Sequence, residues 1–151
     1  MDSGGVHVWL ILWKAFDSVR EHATRHIHSL GIGLSDFGIL EILLHKGPLP
    51  VNTIGNRMRL TSGSITAAVD RLEQKGLVER RHDPTDRRAR MVHLTETGRK
   101  LIDCAFADHE AAMERATSGL TASERAEAIV LLKKLGLRAQ ALLANDAVPA
   151  R

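Results

Sequence analysis

Five arginines, Arg80, Arg81, Arg87, Arg88 and Arg90, crowd a short segment that also carries the turn-forming run Asp83-Pro84-Thr85-Asp86. A guanidinium is planar, always charged and rich in donors. A cluster of them at a loop tip therefore suits phosphate oxygens and the concentrated negative potential of a narrow minor groove. Just upstream, Ser62, Ser64, Thr66 and Ala67 place short side chains at helical spacing. Side chains this small let a backbone approach base edges in a major groove, where a hydroxyl can donate or accept. Neither set is diagnostic alone. A small-residue helix running straight into an arginine-rich hairpin is what points to duplex DNA.

Other chemistry has thinner support. His22 and His26 lie one helical turn apart with His28 nearby, and His45, Asp108 or His109 could add ligands. Two ligands do not make a site, so neither a metal nor a cofactor is expected. Cys104 is the single cysteine, which excludes an intrachain disulfide and suits a reducing compartment. With Ile102, Ala105 and Phe106 around it, Cys104 is expected to be a small core residue. The alternative is a redox role, as a thiol open to oxidation or quinone alkylation. Ser62-Gly63-Ser64 lacks the flanking glycines and preceding strand of a nucleophile elbow, and no phosphate-binding glycine loop is present, so catalysis is not expected. Tyrosine is absent and aromatic residues are 3% of the chain, which argues against single-strand binding by base stacking.

The elements that must position these groups are mostly helical. The chain has 151 residues, 44% hydrophobic and 26% charged, with a net charge of +3. This composition suits one domain over 1–151 and excludes disorder, while no apolar run spans a bilayer and no secretory signal is expected. Trp9, Leu12, Trp13, Phe16, Val19, Ala23, Ile27 and Leu30 recur at steps of three and four and predict a first helix over 6–30. Ser35 is expected to cap a second helix ending at Lys46-Gly47, and Pro50 to open a short third. Ser62 is expected to cap a fourth helix with Ile65, Ala68, Val69 and Leu72 inward. Gly76 then stops that helix before strands over 77–81 and 91–94. Thr95 caps a long helix, and Thr121 with Glu124 forms a capping box for the last one, which frays from Ala144. The fold class is mainly α with a small β-wing (α+β): a winged helix-turn-helix lobe over 35–94 between dimerisation helices at 6–30 and 95–144.

The recognition segment SGSITAAVDRLEQKGLVERR, the wing DPTDRR and the following LTETG resemble the MarR family of bacterial transcription regulators over nearly the whole chain. Thr85 stands where the family's D-x-R-D-x-R wing pattern has its first arginine. The resemblance implies that Arg88 enters the minor groove and that Asp86 orients it; Arg87 and Arg90 are expected to be phosphate contacts or solvated charges. It puts Ser62, Ser64, Thr66, Ala67 and Arg71 at the DNA. Asp70 is expected to pair with Arg71 or with a wing arginine. The segment EHATRHIHSLGIGLSDFGILEILLHKG looks most like the subgroup that responds to quinones and phenols.

The partners expected are a pseudo-palindromic double-stranded operator, a second copy of the chain and a small aromatic effector, with no membrane. Trp9, Trp13, Ile129, Leu132, Leu135, Leu142 and Leu143 exceed what a compact lobe can cover, hence the homodimer. Trp13, Phe16, Phe37 and Leu40 are expected either to line the effector cleft, with His26 or His28 as a polar handle, or to be simply core. The resemblance also implies repression released by the effector in the cytoplasm. The alternatives are a thiol- or metal-responsive regulator of the same fold, or a non-catalytic protein-interaction module.

Overall fold

The computed structural model describes residues 4–86 and 88–146. Among the described residues, six helices and three strands follow one another: α1 (Gly5–Ser29), α2 (Leu34–Lys46), β1 (Leu49–Pro50), α3 (Val51–Met58), α4 (Ser62–Gln74), β2 (Val78–His82), β3 (Arg90–Leu94), α5 (Glu96–Ala116) and α6 (Ala122–Asp146). The architecture is mainly helical with one three-stranded antiparallel sheet in the order β1-β3-β2. The chain divides into two compact units, 1–113 and 114–151. The division falls within α5.

In the first unit the helical periodicity translates directly into burial. Ile27 of α1, Phe37, Ile39, Leu40 and Leu43 of α2, Ile54 of α3 and Ile65, Val69 and Leu72 of α4 meet Val78, Val92 and Ile102 in one core. Burying side chains of this size contributes about 1.5–3 kcal/mol each, which sets the helix faces. α3 ends at Arg59 in the left-handed region (φ 53°), with Leu60 N–H donating to the Gly55 carbonyl at 2.9 Å. That six-to-one closure turns the chain into α4.

Three local expectations are corrected. Ser35 does not cap α2: Gly33, in extended backbone, holds that place, and its carbonyl accepts from Phe37 N–H at 2.9 Å. The helix starts at Leu34, so Ser35 already lies in its first turn. Ser62 does not cap α4 either. Thr61 is extended, and its hydroxyl accepts from Ser64 N–H at 3.2 Å, which leaves Ser62 as the first helical residue. Pro50 was expected only to open the third helix, and with Leu49 it also pairs with Met91 and Val92 as β1. Proline is tolerated there because the strand is short and at the sheet edge.

The joint between the hairpin and α5 explains the TETG run. Gly76 (φ 68°) turns the chain out of α4. Thr95 donates from its hydroxyl to the Gly76 carbonyl at 2.6 Å and accepts Gly98 N–H at 2.9 Å, so it caps α5 as expected. A Cβ on Gly98 would lie 1.9 Å from the Leu77 carbonyl oxygen, a backbone atom that cannot step aside. The glycine is therefore a packing requirement of the fold. In the second unit Thr121 and Glu124 form the expected capping box, with Thr121 N–H donating to Glu124 Oε2 at 2.8 Å. Among the described residues no single helix is long and apolar enough to cross a membrane.

Candidate nucleic-acid interface

On α4, Ile65, Ala68, Val69 and Leu72 turn inward and leave Ser62, Ser64, Thr66, Ala67 and Asp70 exposed. The hydroxyls are oriented by their own helix. Thr66 donates to the Ser62 carbonyl at 2.8 Å, so its remaining lone pair faces outward as an acceptor. Ser64 accepts from the Thr61 hydroxyl at 2.8 Å and keeps its own O–H free to donate.

The wing is built on β2 and β3, paired from Val78↔Leu94 to His82↔Arg90. At its tip Asp83 N–H donates to the Ala89 carbonyl at 3.0 Å, closing the turn. The Asp83 carboxylate accepts from both the hydroxyl and the backbone N–H of Thr85, each at 2.7 Å, and these bonds hold its pKa below the usual value. Asp86 accepts from Arg88 N–H at 3.0 Å. It therefore fixes the Arg88 backbone, whereas the sequence pointed to the guanidinium. Among the described residues the Arg88 guanidinium meets no carboxylate and stays open to a ligand. Arg87 lies outside the described residues.

Ser62 and Thr66 of α4 and Arg88 and Arg90 of the wing line one open groove of about 530 Å³, together with Asn52 and Thr53 at the start of α3. Sequence reasoning missed Asn52 and Thr53. Their signal was a polar pair directly after Pro50, in the first turn of the helix that precedes the recognition helix, where such folds cross the backbone.

Arg80, Arg81 and Arg71 are engaged within the protein. Arg80 donates to Asp70 at 2.6 Å and also pairs with Glu73. Burial pulls its pKa down, but the hydrogen bonds and charges of these two carboxylates outweigh that effect and raise it. Asp70 thus pairs with Arg80 of β2 and not with Arg71. Arg81 pairs with Glu79. Arg71, expected at the DNA, directs its guanidinium to Asp36 of α2 at 2.8 Å.

Groups proposed from sequence for other chemistry are scattered. Trp13 and Phe16 are exposed, whereas Phe37 and Leu40 are sealed in the core, so those two line no open cleft. His26 Nε2 lies 4.0 Å from Asp108 and has no hydrogen-bond partner among the described residues; nor has His109 Nδ1. The His109 ring packs on Phe37 at 4.8 Å. Burial lowers its pKa and the charge of His26 adds to this, against an opposing pull from Glu41. Cys104 was expected in the core and is exposed. Ile102 and Ala105 define the inward stripe of α5, and Cys104 falls outside it. No group of three His, Cys, Asp or Glu among the described residues could hold a metal ion.

A core-packed helix pair followed by a two-stranded wing, with β1 completing the sheet, defines a winged helix-turn-helix protein. The sequence profile of the MarR family matches residues 32–89. The chain is 39% identical over 140 residues to the HTH-type transcriptional regulator MhqR of Bacillus subtilis (strain 168), covering 93% of this chain and 97% of that one. It is 30% identical over 133 residues to the HTH-type transcriptional repressor MdtR of the same organism, covering 88% and 86%. The crystal structure of a cysteine-to-serine mutant of MarR from E. coli, complexed with operator DNA, shares the fold, with a TM-score of 0.79 at 23% identity over 88% of this chain and 96% of that one. The chain belongs to the MarR family and is a MarR-type transcriptional regulator.

Proposed function

We propose that this protein is a cytoplasmic, non-catalytic, homodimeric repressor that binds a pseudo-palindromic duplex operator and leaves it when a small aromatic, phenolic or quinone-like effector binds. The groove uniting Ser62 and Thr66 with the open Arg88 and Arg90 carries the DNA reading. It combines hydroxyls that can address base edges with guanidinium groups suited to the backbone. Twofold symmetry would place two such grooves on half-sites about 10 bp apart. Occupying a promoter blocks polymerase, and the relative MdtR is named a repressor. Selection of bound duplexes from random sequence, followed by Arg88→Ala, tests the reading. The expected result is an enriched inverted repeat and weaker binding across sequences in the variant. No enrichment, or unchanged affinity of Arg88→Ala at moderate salt, would refute it.

The effector reading is supported by the exposed rings of Trp13 and Phe16 and by the unpaired His26 Nε2 on the same helix. Release of the selected duplex by a panel of phenols and quinones tests it. The exposure of Cys104 favours a second reading, in which a thiol senses the quinone. Full responsiveness of Cys104→Ser to quinone and oxidant would remove that reading.

A further inference from the structure

Two cations near the C-terminal end of α4 reach back across the fold. Arg71 Nη2 donates to Asp36 Oδ1 at 2.8 Å, and Lys75 Nζ donates to the Gly31 carbonyl oxygen at 2.7 Å. Both acceptors sit at one corner: Gly31 in the turn after α1, and Asp36 in the first turn of α2. Asp36 is the one buried charged residue among those described, with its side chain 4% exposed. A buried carboxylate persists only when it is paired, and the N-terminal end of a helix further favours its charge. Its guanidinium partner is on the helix that faces the groove. On its other side α4 is tied to β2 through Asp70, Glu73 and Arg80. Hydrophobic packing alone would allow α4 to rotate or slide by small amounts. Directional polar bonds at two successive turns restrict both motions.

We propose that Asp36, Arg71 and Lys75 form a clamp that sets the angle at which α4 meets DNA, so that Asp36 and Arg71 are positioning residues and not DNA contacts. The inference rests on α4 being the DNA-reading helix. A displacement of the α1–α2 corner is then carried to α4 through the two bonds. Position governs base readout, while attraction to phosphates depends on the number of cations presented. The clamp therefore acts on specificity and leaves sequence-independent affinity alone.

The test uses the full chain, a duplex enriched by selection and a scrambled duplex of the same length, titrated between 50 and about 200 mM salt, where phosphate contacts reveal themselves. Asp36→Asn keeps every cation. It should lower affinity for the selected duplex by about tenfold, comparable to the loss of one good base contact. Affinity for the scrambled duplex and the salt slope should not change. Unchanged affinity for the selected duplex, in a protein shown to be folded by circular dichroism at the assay temperature, would overturn the clamp. So would tighter binding, which would mean that Asp36 masks Arg71 as a contact. If Asp36→Asn does not fold, Lys75→Gln at an exposed position carries the same test. Its selected-to-scrambled ratio should fall with an unchanged slope, and an unchanged ratio or a slope reduced by about one overturns the proposal. If the unaltered chain enriches no duplex, the DNA-reading assignment fails first, and the clamp goes with it.

Discussion

The DNA-reading lobe and the helical arms treat their apolar residues in opposite ways. From α2 to β3 the large hydrophobics are covered by the chain itself, and among the described residues Leu34 alone stands out at 40% exposure. In the first half of α1, Val6, Trp9, Ile11, Trp13 and Phe16 are exposed, and in α6 so are Ile129, Leu132, Leu142 and Leu143. The same helical periodicity thus has two meanings. In the lobe it records how the chain folds. In the arms it leaves large apolar side chains exposed, the kind of surface that assembly into a dimer would cover.

The largest expected effect separates these meanings. Replacing Trp9 and Trp13 together by Lys should break the dimer and spare the lobe. Removing about 2 kcal/mol of burial per ring, over four rings in a dimer, costs about 8 kcal/mol, or roughly six orders of magnitude in the dissociation constant. Sedimentation should show the mass of one chain at micromolar concentration in the variant and of two chains in the parent. A parent that sediments as one chain would remove the distinction between arms and lobe.

The converse break falls at the joint between the wing and α5. Gly98→Ala forces a Cβ to within 1.9 Å of the Leu77 carbonyl oxygen. That carbonyl is also held at 3.1 Å by Thr95 N–H, so the neighbour cannot yield. Overpacking usually costs 1–3 kcal/mol, and this site should reach about 3 kcal/mol. The thermal midpoint should fall by roughly 6–12 °C for a chain of this size. A fall of a degree or two would mean that the joint is soft.

What could be read from the sequence follows the same division. The six helices and the inward face of α4 were legible because apolar spacing reports burial directly. The choice of cap was not: Thr61 and Ser62 are adjacent hydroxyls, and the extended backbone of Thr61 decides between them. β1 was hidden because its partners, Met91 and Val92, lie far along the chain and no local pattern announces two paired residues. Of the groove, the small residues of α4 and the wing arginines were visible as types. Their side-chain directions were not. Arg71 turns to Asp36 and Asp86 to a backbone N–H, because long-range acceptors and turn geometry settle such directions. Cys104 was misplaced because neighbours in sequence on a helix are not neighbours on its face.

His109 sits where α5 meets α2 and gives a weaker handle on the lobe's edge. Its folded pKa lies below the ordinary 6.5, chiefly through burial. The unfolded chain therefore binds more protons between the two values, so stability should fall as pH drops below about 6.5 and level off below the folded pKa. His109→Gln should flatten this part of the stability-against-pH curve, measured by urea unfolding at each pH. A curve of unchanged slope would assign the acid sensitivity elsewhere.

The smallest effect expected is at the wing tip, where the comparison turns from burial to order. Asp83 is half-buried, and its bonds to Thr85 shape the turn that carries Arg88. Its folded pKa is depressed, so the contribution is fully present above about 4 and is lost as pH falls through the lower folded value. At neutral pH the carboxylate is charged in both states and the turn keeps its shape. Asp83→Asn loses the charge-assisted part of these bonds, so it should lower the melting midpoint at pH 7 slightly and weaken DNA binding only about twofold, the cost of ordering a few wing residues on contact. Amide relaxation at Thr85 should show the added mobility. If binding is unchanged while mobility rises, Arg88 acts as a tethered charge and the preorganised turn is irrelevant to affinity. If binding falls together with the gain in mobility, the wing, like α4, works by being held in place.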